Sequence, residues 1–265
     1  MISPLAHISP EAVLGNNVKV DPFAVIHEDV RIGEGTHIMS GAVIMSGTTI
    51  GKNCLIFPGA VLGAIPQDLK FIGEKTTVEI GDNTTIRECV TINRGTQDKW
   101  KTVIGSNCLL MAYSHVAHDC ILGDHVILSN SVQLAGHVEV GDWAIIGGMA
   151  GAPQFSRIGA HCYVFGHTVI NKDVPPFMKA GRSPISYAGV NSVGLQRRGF
   201  SSDAINQILE IYRNLYNKGF NTSQALEYIE KDLPDSPERN MILTFIKESK
   251  RGIVKVFSKA DMDEN

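Results

Sequence analysis

The 265-residue chain lacks an excess of either charge, with 24 Lys and Arg against 27 Asp and Glu and a formal net charge of −3. Nucleic-acid binding normally shows a clustered basic footprint, so that class has no support here. Long apolar runs are also missing. Those present are short and broken by Gly, Asn or Asp, well below the ~20 residues that a membrane-spanning helix needs. Met1 to His7 shows no basic region followed by an apolar core, so a secretory signal is not expected and a cytoplasmic setting is. The five cysteines form no CxxC pair, which argues against a disulfide framework and a structural zinc site.

What the chain does contain is a period of six. An aliphatic residue recurs at Ile8, Leu14, Val20, Ile26, Ile32, Ile38, Ile44, Ile50, Ile56 and Leu62, and the phase holds at Ile80, Ile86 and Ile92. It continues from Ile104 through Leu110, Val116, Leu122, Leu128, Leu134, Val140 and Ile146 to Ile158, Val164 and Ile170, with Ala152 the one exception to Ile, Leu or Val. Gly15, Gly33 and Gly51, then Gly105, Gly123, Gly141 and Gly159, add a period of eighteen. Three hexads therefore make one coil, and the glycine is expected at a corner that needs φ > 0. The expected fold is mainly β: a left-handed parallel β-helix of 18-residue coils with aliphatic side chains stacked inside. Small residues such as Ala24, Thr36, Ala42, Thr48 and Ala60 fill the fifth position of the hexads, and Cys54, Cys108, Cys120 and Cys162 share it. These thiols read as core fillers, not nucleophiles. Cys89 lies one place off and has no evident base.

Two segments, 64–77 and 97–102, interrupt the repeat and read as loops thrown off the prism, where functional groups tend to lie. After Val174-Pro175-Pro176 the repeat fades. Helical spacing is expected over Ser201–Lys218, Thr222–Leu233 and Ser236–Arg251. The expected organisation is a β-helix domain over 1–190 and an α-helical domain over 191–265. Lys247, Lys250, Arg251 and Lys255 could meet an acidic partner or form a solvated helix face.

One constellation carries chemistry. His118 has a carboxylate, Asp119, beside it, and carboxylates orient imidazoles and stabilise their charged form. One coil later Gly136 takes the column of His118 and His137 that of Asp119. The bare backbone of Gly136 is expected to leave space for a substrate and to offer an N–H to a developing oxyanion. A base, an orienting carboxylate and an oxyanion donor would then share one patch, fit for direct acyl transfer without a covalent intermediate. Neither a metal nor another cofactor is required. A column of mostly small residues, Ala112, Asn130, Gly148 and Gly166, could floor an acyl groove or merely suit a tight corner.

The segments Pro66-Gln67-Asp68-Leu69-Lys70, Thr91-Ile92-Asn93-Arg94-Gly95-Thr96, Ala117-His118-Asp119-Cys120, Ala135-Gly136-His137-Val138, Ile145-Ile146-Gly147-Gly148-Met149 and Gly194-Leu195-Gln196-Arg197-Arg198-Gly199-Phe200 resemble one family. It is that of the UDP-N-acetylglucosamine O-acyltransferases, which begin lipid A biosynthesis, and the likeness spans nearly the whole chain. The resemblance implies acyl carrier protein as donor, UDP-N-acetylglucosamine as acceptor and a homotrimer. It makes His118 the catalytic base, Asp119 its partner and Gly136 the oxyanion donor. Asp68, Lys70, His115, His137 and Gln154 match positions that contact the sugar nucleotide or shape the site. Asn191, Arg197 and Arg198 match positions near the nucleotide phosphates and uracil. Gly166, with bulky Phe165 beside it, matches the position that measures the acyl chain. Two departures are Pro153, where the family often has His, and Val193, where it often has an acidic residue.

Rival readings are an acetyltransferase using coenzyme A, a zinc enzyme resembling γ-class carbonic anhydrase, and a non-catalytic scaffold. The zinc reading lacks a His-x4-His spacing around His115 and His118. The scaffold leaves the matches at Lys70, His118 and Asp119 unexplained.

Overall fold

A computed structural model describes residues 1–217 and 219–257. Each hexad places two or more residues in a strand and turns the next corner, and the chain closes a coil after three strands. Three sheets result. The first holds eight parallel strands, from His7–Ile8 to Gly151–Ala152. The second holds eight, from Val13–Leu14 to Arg157–Ile158. The third runs from Lys19–Val20 to Tyr163–Val164 and continues into Met178–Gly181 and the antiparallel Ser186–Val190, ten strands in all. This is the left-handed parallel β-helix that the hexads predict. Register follows the eighteen-residue period: His115 pairs with Gln133 and Gln133 with Gly151.

The aliphatic series lies inside the prism. From Ile26 to Val164 its members are no more than 4% exposed, so each buried Ile, Leu or Val contributes about 1.5–3 kcal/mol of transfer free energy. The fifth-position residues are buried too, and many donate to a carbonyl of the following coil. Thr36 Oγ1 bonds Gly51 O at 2.8 Å, Thr84 Oγ1 bonds Gly105 O at 2.9 Å, and Cys120 Sγ bonds Ala135 O at 3.1 Å. Smallness and a donor hydrogen are thus both used at this position. Burial pushes the thiols up, to about 11 for Cys108 and about 12 for Cys120 and Cys162, which keeps them protonated and inert.

One expectation is corrected. The period-eighteen glycines do not serve a positive φ, because left-handed backbone falls elsewhere, on residues such as Asn17, Asn53, Asn107, Asp119 and His137. A Cβ on Gly33 would lie 2.5 Å from the carbonyl carbon of Gly51, and one on Gly105 would lie 2.4 Å from Gly123 O. Glycine is required there by the close approach of successive coils. The left-handed corners instead favour Asn and Asp. In the later coils they carry rings that stack along the prism, as His125 does on Trp143 at 3.8 Å.

The first interruption runs between strands Val61–Ala64 and Thr77–Ile80, the second between Thr91–Asn93 and Lys101–Ile104. Lys101 and Thr102, expected in a loop, are in strand because they pair with Thr77 and Val78. Beyond the prism lie α1 (Ser192–Arg197), α2 (Ser202–Asn217), α3 (Thr222–Asp232) and α4 (Pro237–Lys247). Sequence periodicity does not reveal α1, a helix of six residues. The end expected for α2, Lys218, lies outside the described residues. Helix α4 stops short of the expected Arg251 because the chain turns back to the prism, where Ser249 Oγ donates to Asp173 Oδ2 at 2.6 Å and Asp173 N donates to Gly252 O. Lys247 pairs with Glu230 at 2.7 Å. No helix among the described residues is long and apolar enough to cross a membrane.

Candidate active site

The edge between the first and second sheets carries His118, Gly136 and Gln154 in one column, and Asp119, His137 and Phe155 in the next. His118 is 3% exposed and Asp119 is fully buried. Asp119 Oδ1 accepts from the Thr96 and Lys99 amides at 2.9 and 3.2 Å. Its Oδ2 accepts from Thr96 Oγ1 at 2.6 Å and faces His118 Nδ1 at 2.8 Å. Burial alone would push this carboxyl up. The hydrogen bonds from Thr96, His118 and Lys99 outweigh it and hold the pKa below the usual carboxylate value. An ionised Asp119 can only accept, so His118 donates from Nδ1 and presents the lone pair of Nε2. The second loop therefore acts through Thr96, which a family-like segment contains without an assigned role, and Lys99, which no such segment contains.

The bare backbone of Gly136 makes room for the His118 ring as well as bordering open space on the first sheet. A Cβ there would lie 2.5 Å from His118 Cε1 and 2.6 Å from Nε2. Gly136 O accepts from Phe155 N at 3.2 Å, while the Gly136 N–H donates to no acceptor among the described residues. His137 meets His118 edge to face at 5.1 Å and stacks on Phe155 at 4.4 Å. Its Nε2 lies 3.8 Å from Asp119 Oδ2, and its Nδ1 lies 3.1 Å from Asp98 Oδ2 without the alignment for a hydrogen bond.

Loop 65–76 brings Asp68 to the edge, with Oδ2 3.9 Å from His118 Nε2. Asp68, Lys70, Thr96, Asp98, His137 and Phe155 border a cavity of about 340 Å³. A second cavity of about 480 Å³ opens on the first sheet, bordered by His115, His118, Gln133, Gly136, Gly151 and Gln154. His115 Nδ1 lies 2.7 Å from Thr91 Oγ1, and burial, with a smaller push from His118, lowers its pKa and keeps it neutral. His118, Asp119 and His137 also form the one His and carboxylate cluster among the described residues compact enough for a metal. Both oxygens of Asp119 already accept two bonds each, from Thr96, Lys99 and His118, so ligating a metal would displace at least one of them.

Other predicted residues lie on different edges. Asn191 Nδ2 donates to His161 O at 3.0 Å. Arg198 lies 3.4 Å from His161 Nδ1 and 5.4 Å above the Trp143 ring, on the edge between the second and third sheets. Burial and then the Arg198 guanidinium push His161 down to about 4. Arg197 is the last residue of α1. Gly166 lies on the edge between the third and first sheets, where a Cβ would come 2.9 Å from Gly148 O, and Phe165 packs over Gly181. A single chain does not bring these residues to His118.

The profile of the second domain of UDP-N-acetylglucosamine O-acyltransferases matches residues 173–254, and the bacterial transferase hexapeptide pattern matches 11–45, 29–64 and 101–136. An acyl-[acyl-carrier-protein]--UDP-N-acetylglucosamine O-acyltransferase from Thiobacillus denitrificans is 46% identical over 255 residues, covering 96% of this chain and 99% of its own. This chain belongs to that family. The crystal structure of a UDP-N-acetylglucosamine acyltransferase from Bacteroides fragilis superposes with a TM-score of 0.94 at 50% identity, covering 96% of this chain and all of the other. The Arabidopsis UDP-N-acetylglucosamine acyltransferase superposes with a TM-score of 0.83 at 31% identity, over 96% and 100% of the two chains.

Gly136→Ala tests the stacking of His118 on this backbone. The new methyl must displace the His118 ring, so acyltransferase activity should fall by at least roughly 10²-fold, the scale of general-base catalysis. The melting temperature should stay within a few degrees of wild type.

Proposed function

We propose that this chain transfers a fatty acyl group, a 3-hydroxyacyl chain, from acyl carrier protein to the 3-hydroxyl of UDP-N-acetylglucosamine, the first step of lipid A biosynthesis. The observation that carries the chemistry is the buried His118, held by Asp119 through Nδ1 with Nε2 free, stacked on the bare backbone of Gly136. Nε2 takes the proton of the 3-hydroxyl as its oxygen attacks the thioester carbonyl. The Gly136 N–H stabilises the oxyanion, carbon–sulfur cleavage expels the carrier-protein thiolate, and the imidazolium returns the proton to that sulfur. Asp119 and Asp68, at 2.8 and 3.9 Å, favour the transient imidazolium. Direct transfer fits the absence, among the described residues at this edge, of an accessible thiol: Cys120 is buried and its pKa is pushed up to about 12.

Lys70, His115, His137 and Gln154 border the two cavities and are assigned to the sugar nucleotide. The buried His137 Nδ1 has no hydrogen-bond partner, which suits a substrate contact. We assign Asn191, Arg197 and Arg198 to the nucleotide, and Gly166 with Phe165 to the end of the acyl chain. Because these lie on other edges, the reading requires neighbouring copies in a homotrimer. The outward rows support one. The outer row of the third sheet carries Leu55 and Tyr163 exposed and Leu109, Ile127 and Ile145 part-exposed, and that of the first carries Val25, Val43 and Val61 part-exposed, while the second mixes Val13, Val103 and Ile121 with Arg31, Glu79, Glu139 and Arg157. Part-exposed aliphatic rows of this kind are what a subunit contact would cover.

Two experiments test this reading. His118→Ala should lose activity with UDP-N-acetylglucosamine and acyl carrier protein thioesters by about 10²–10⁴-fold while keeping the fold; near-normal turnover would refute the base assignment. For the assembly, His118→Ala and Arg198→Ala chains can be co-expressed. If each site draws His118 and Arg198 from adjacent copies in a closed ring, random mixing restores about a quarter of wild-type sites. No recovery above the separate variants would contradict a shared site.

A further inference from the structure

At most corners of the prism the amide of the left-handed residue donates to a carbonyl one coil back, Asp119, which donates to Thr102 Oγ1, being an exception. On the edge between the second and third sheets the series runs Asn107 to Asp82, His125 to Ser106, Trp143 to Asp124, His161 to Asp142 and Phe177 to Ala160. On the catalytic edge it runs His137 to His118 at 3.0 Å and Phe155 to Gly136 at 3.2 Å. The next acceptor is Gln154 O. The amide eighteen residues beyond Phe155 belongs to Asp173, where the coil opens, and it donates to Gly252 O instead at 3.0 Å. The Gln154 carbonyl is met by the guanidinium of Arg251, 97 residues away, through Nη2.

We infer that Arg251 is a positioning residue for the sugar-nucleotide wall: its guanidinium supplies the corner hydrogen bond that a further coil would have made. The bond fixes the peptide between Gln154 and Phe155 at the last corner of the catalytic edge. Phe155, at φ 63°, carries the ring on which His137 stacks at 4.4 Å. The C-terminal segment thereby sets the wall formed by Gln154, Phe155 and His137. His118 is held separately by Asp119 and the second loop, so the effect falls on binding and not on proton transfer. This inference rests on the assignment of Gln154 and His137 to the nucleotide sugar.

Lys172 separates positioning from anchoring. Its Nζ donates to Arg251 O at 3.1 Å and ties the same segment to the prism without touching the corner. Arg251 contributes one bond to one carbonyl, so a lysine ammonium can replace it in kind, which a bidentate site would not allow. In steady-state assays Arg251→Met should raise the KM for UDP-N-acetylglucosamine on the order of tenfold, the effect of one lost charge-assisted hydrogen bond, with kcat changed less than about threefold. Arg251→Lys should return KM to within about threefold of wild type, and Lys172→Met should leave it there. An unchanged KM in Arg251→Met, equal effects of Arg251→Met and Lys172→Met, or a loss confined to kcat or to melting temperature would overturn the inference. Wild-type turnover of UDP-N-acetylglucosamine in the same assay tests the underlying function separately.

Discussion

Hydrogen bonding between coils spaced about 4.8 Å apart is the constraint on which the rest of the molecule depends. Because a coil closes after eighteen residues, a residue's number fixes its edge and its neighbours above and below. That rule converts His118 and Gly136 into a stacked pair, and Asp119, His137 and Phe155 into another column. His118, the proposed base, sits on a corner of the prism and not on a helix or a thrown-off loop, so the coils fix its position. Glycine appears where coils approach too closely for a Cβ, at Gly33 and Gly105 as structure and at Gly136 as chemistry.

The electrostatics of the site come from a different source. A buried carboxylate is costly unless its lone pairs are engaged. The prism alone supplies Asp119 with His118, while the loop between Asn93 and Lys101 supplies Thr96 and Lys99. Lys99 is itself held, its Nζ meeting Glu139 Oε1 at 2.8 Å. Excursions from the repeat thus complete what the repeat begins. The C-terminal helices extend the same pattern, because Asp173, Ser249 and Arg251 tie their end to the last corner of the catalytic edge.

Much of this was legible in the sequence, for a physical reason. Each interior position is filled again one coil later by the same kind of residue, so Ile86, Leu110, Leu128 and Ile146 announce the third sheet by themselves, and counting by eighteen brings Gly136 to His118. What escaped the sequence lies outside the repeat. Thr96 reaches Asp119 only because its loop folds back, and Arg251 reaches Gln154 only because α4 ends early. The glycine period was visible, but its cause was not, since inter-coil distance has no mark in one chain. Asn191 and Arg198 could be matched by motif, yet spacing does not tell which edge, or which copy, they serve.

A six-residue duplication tests the central claim most directly. Repeating residues 124–129 once after position 129 preserves the hexad phase and the buried aliphatic column, but carries Gly136 one edge away from His118. The account predicts a folded protein, with cooperative melting and β-rich circular dichroism, whose acyltransferase activity is lost. Substantial activity in that folded variant would contradict it.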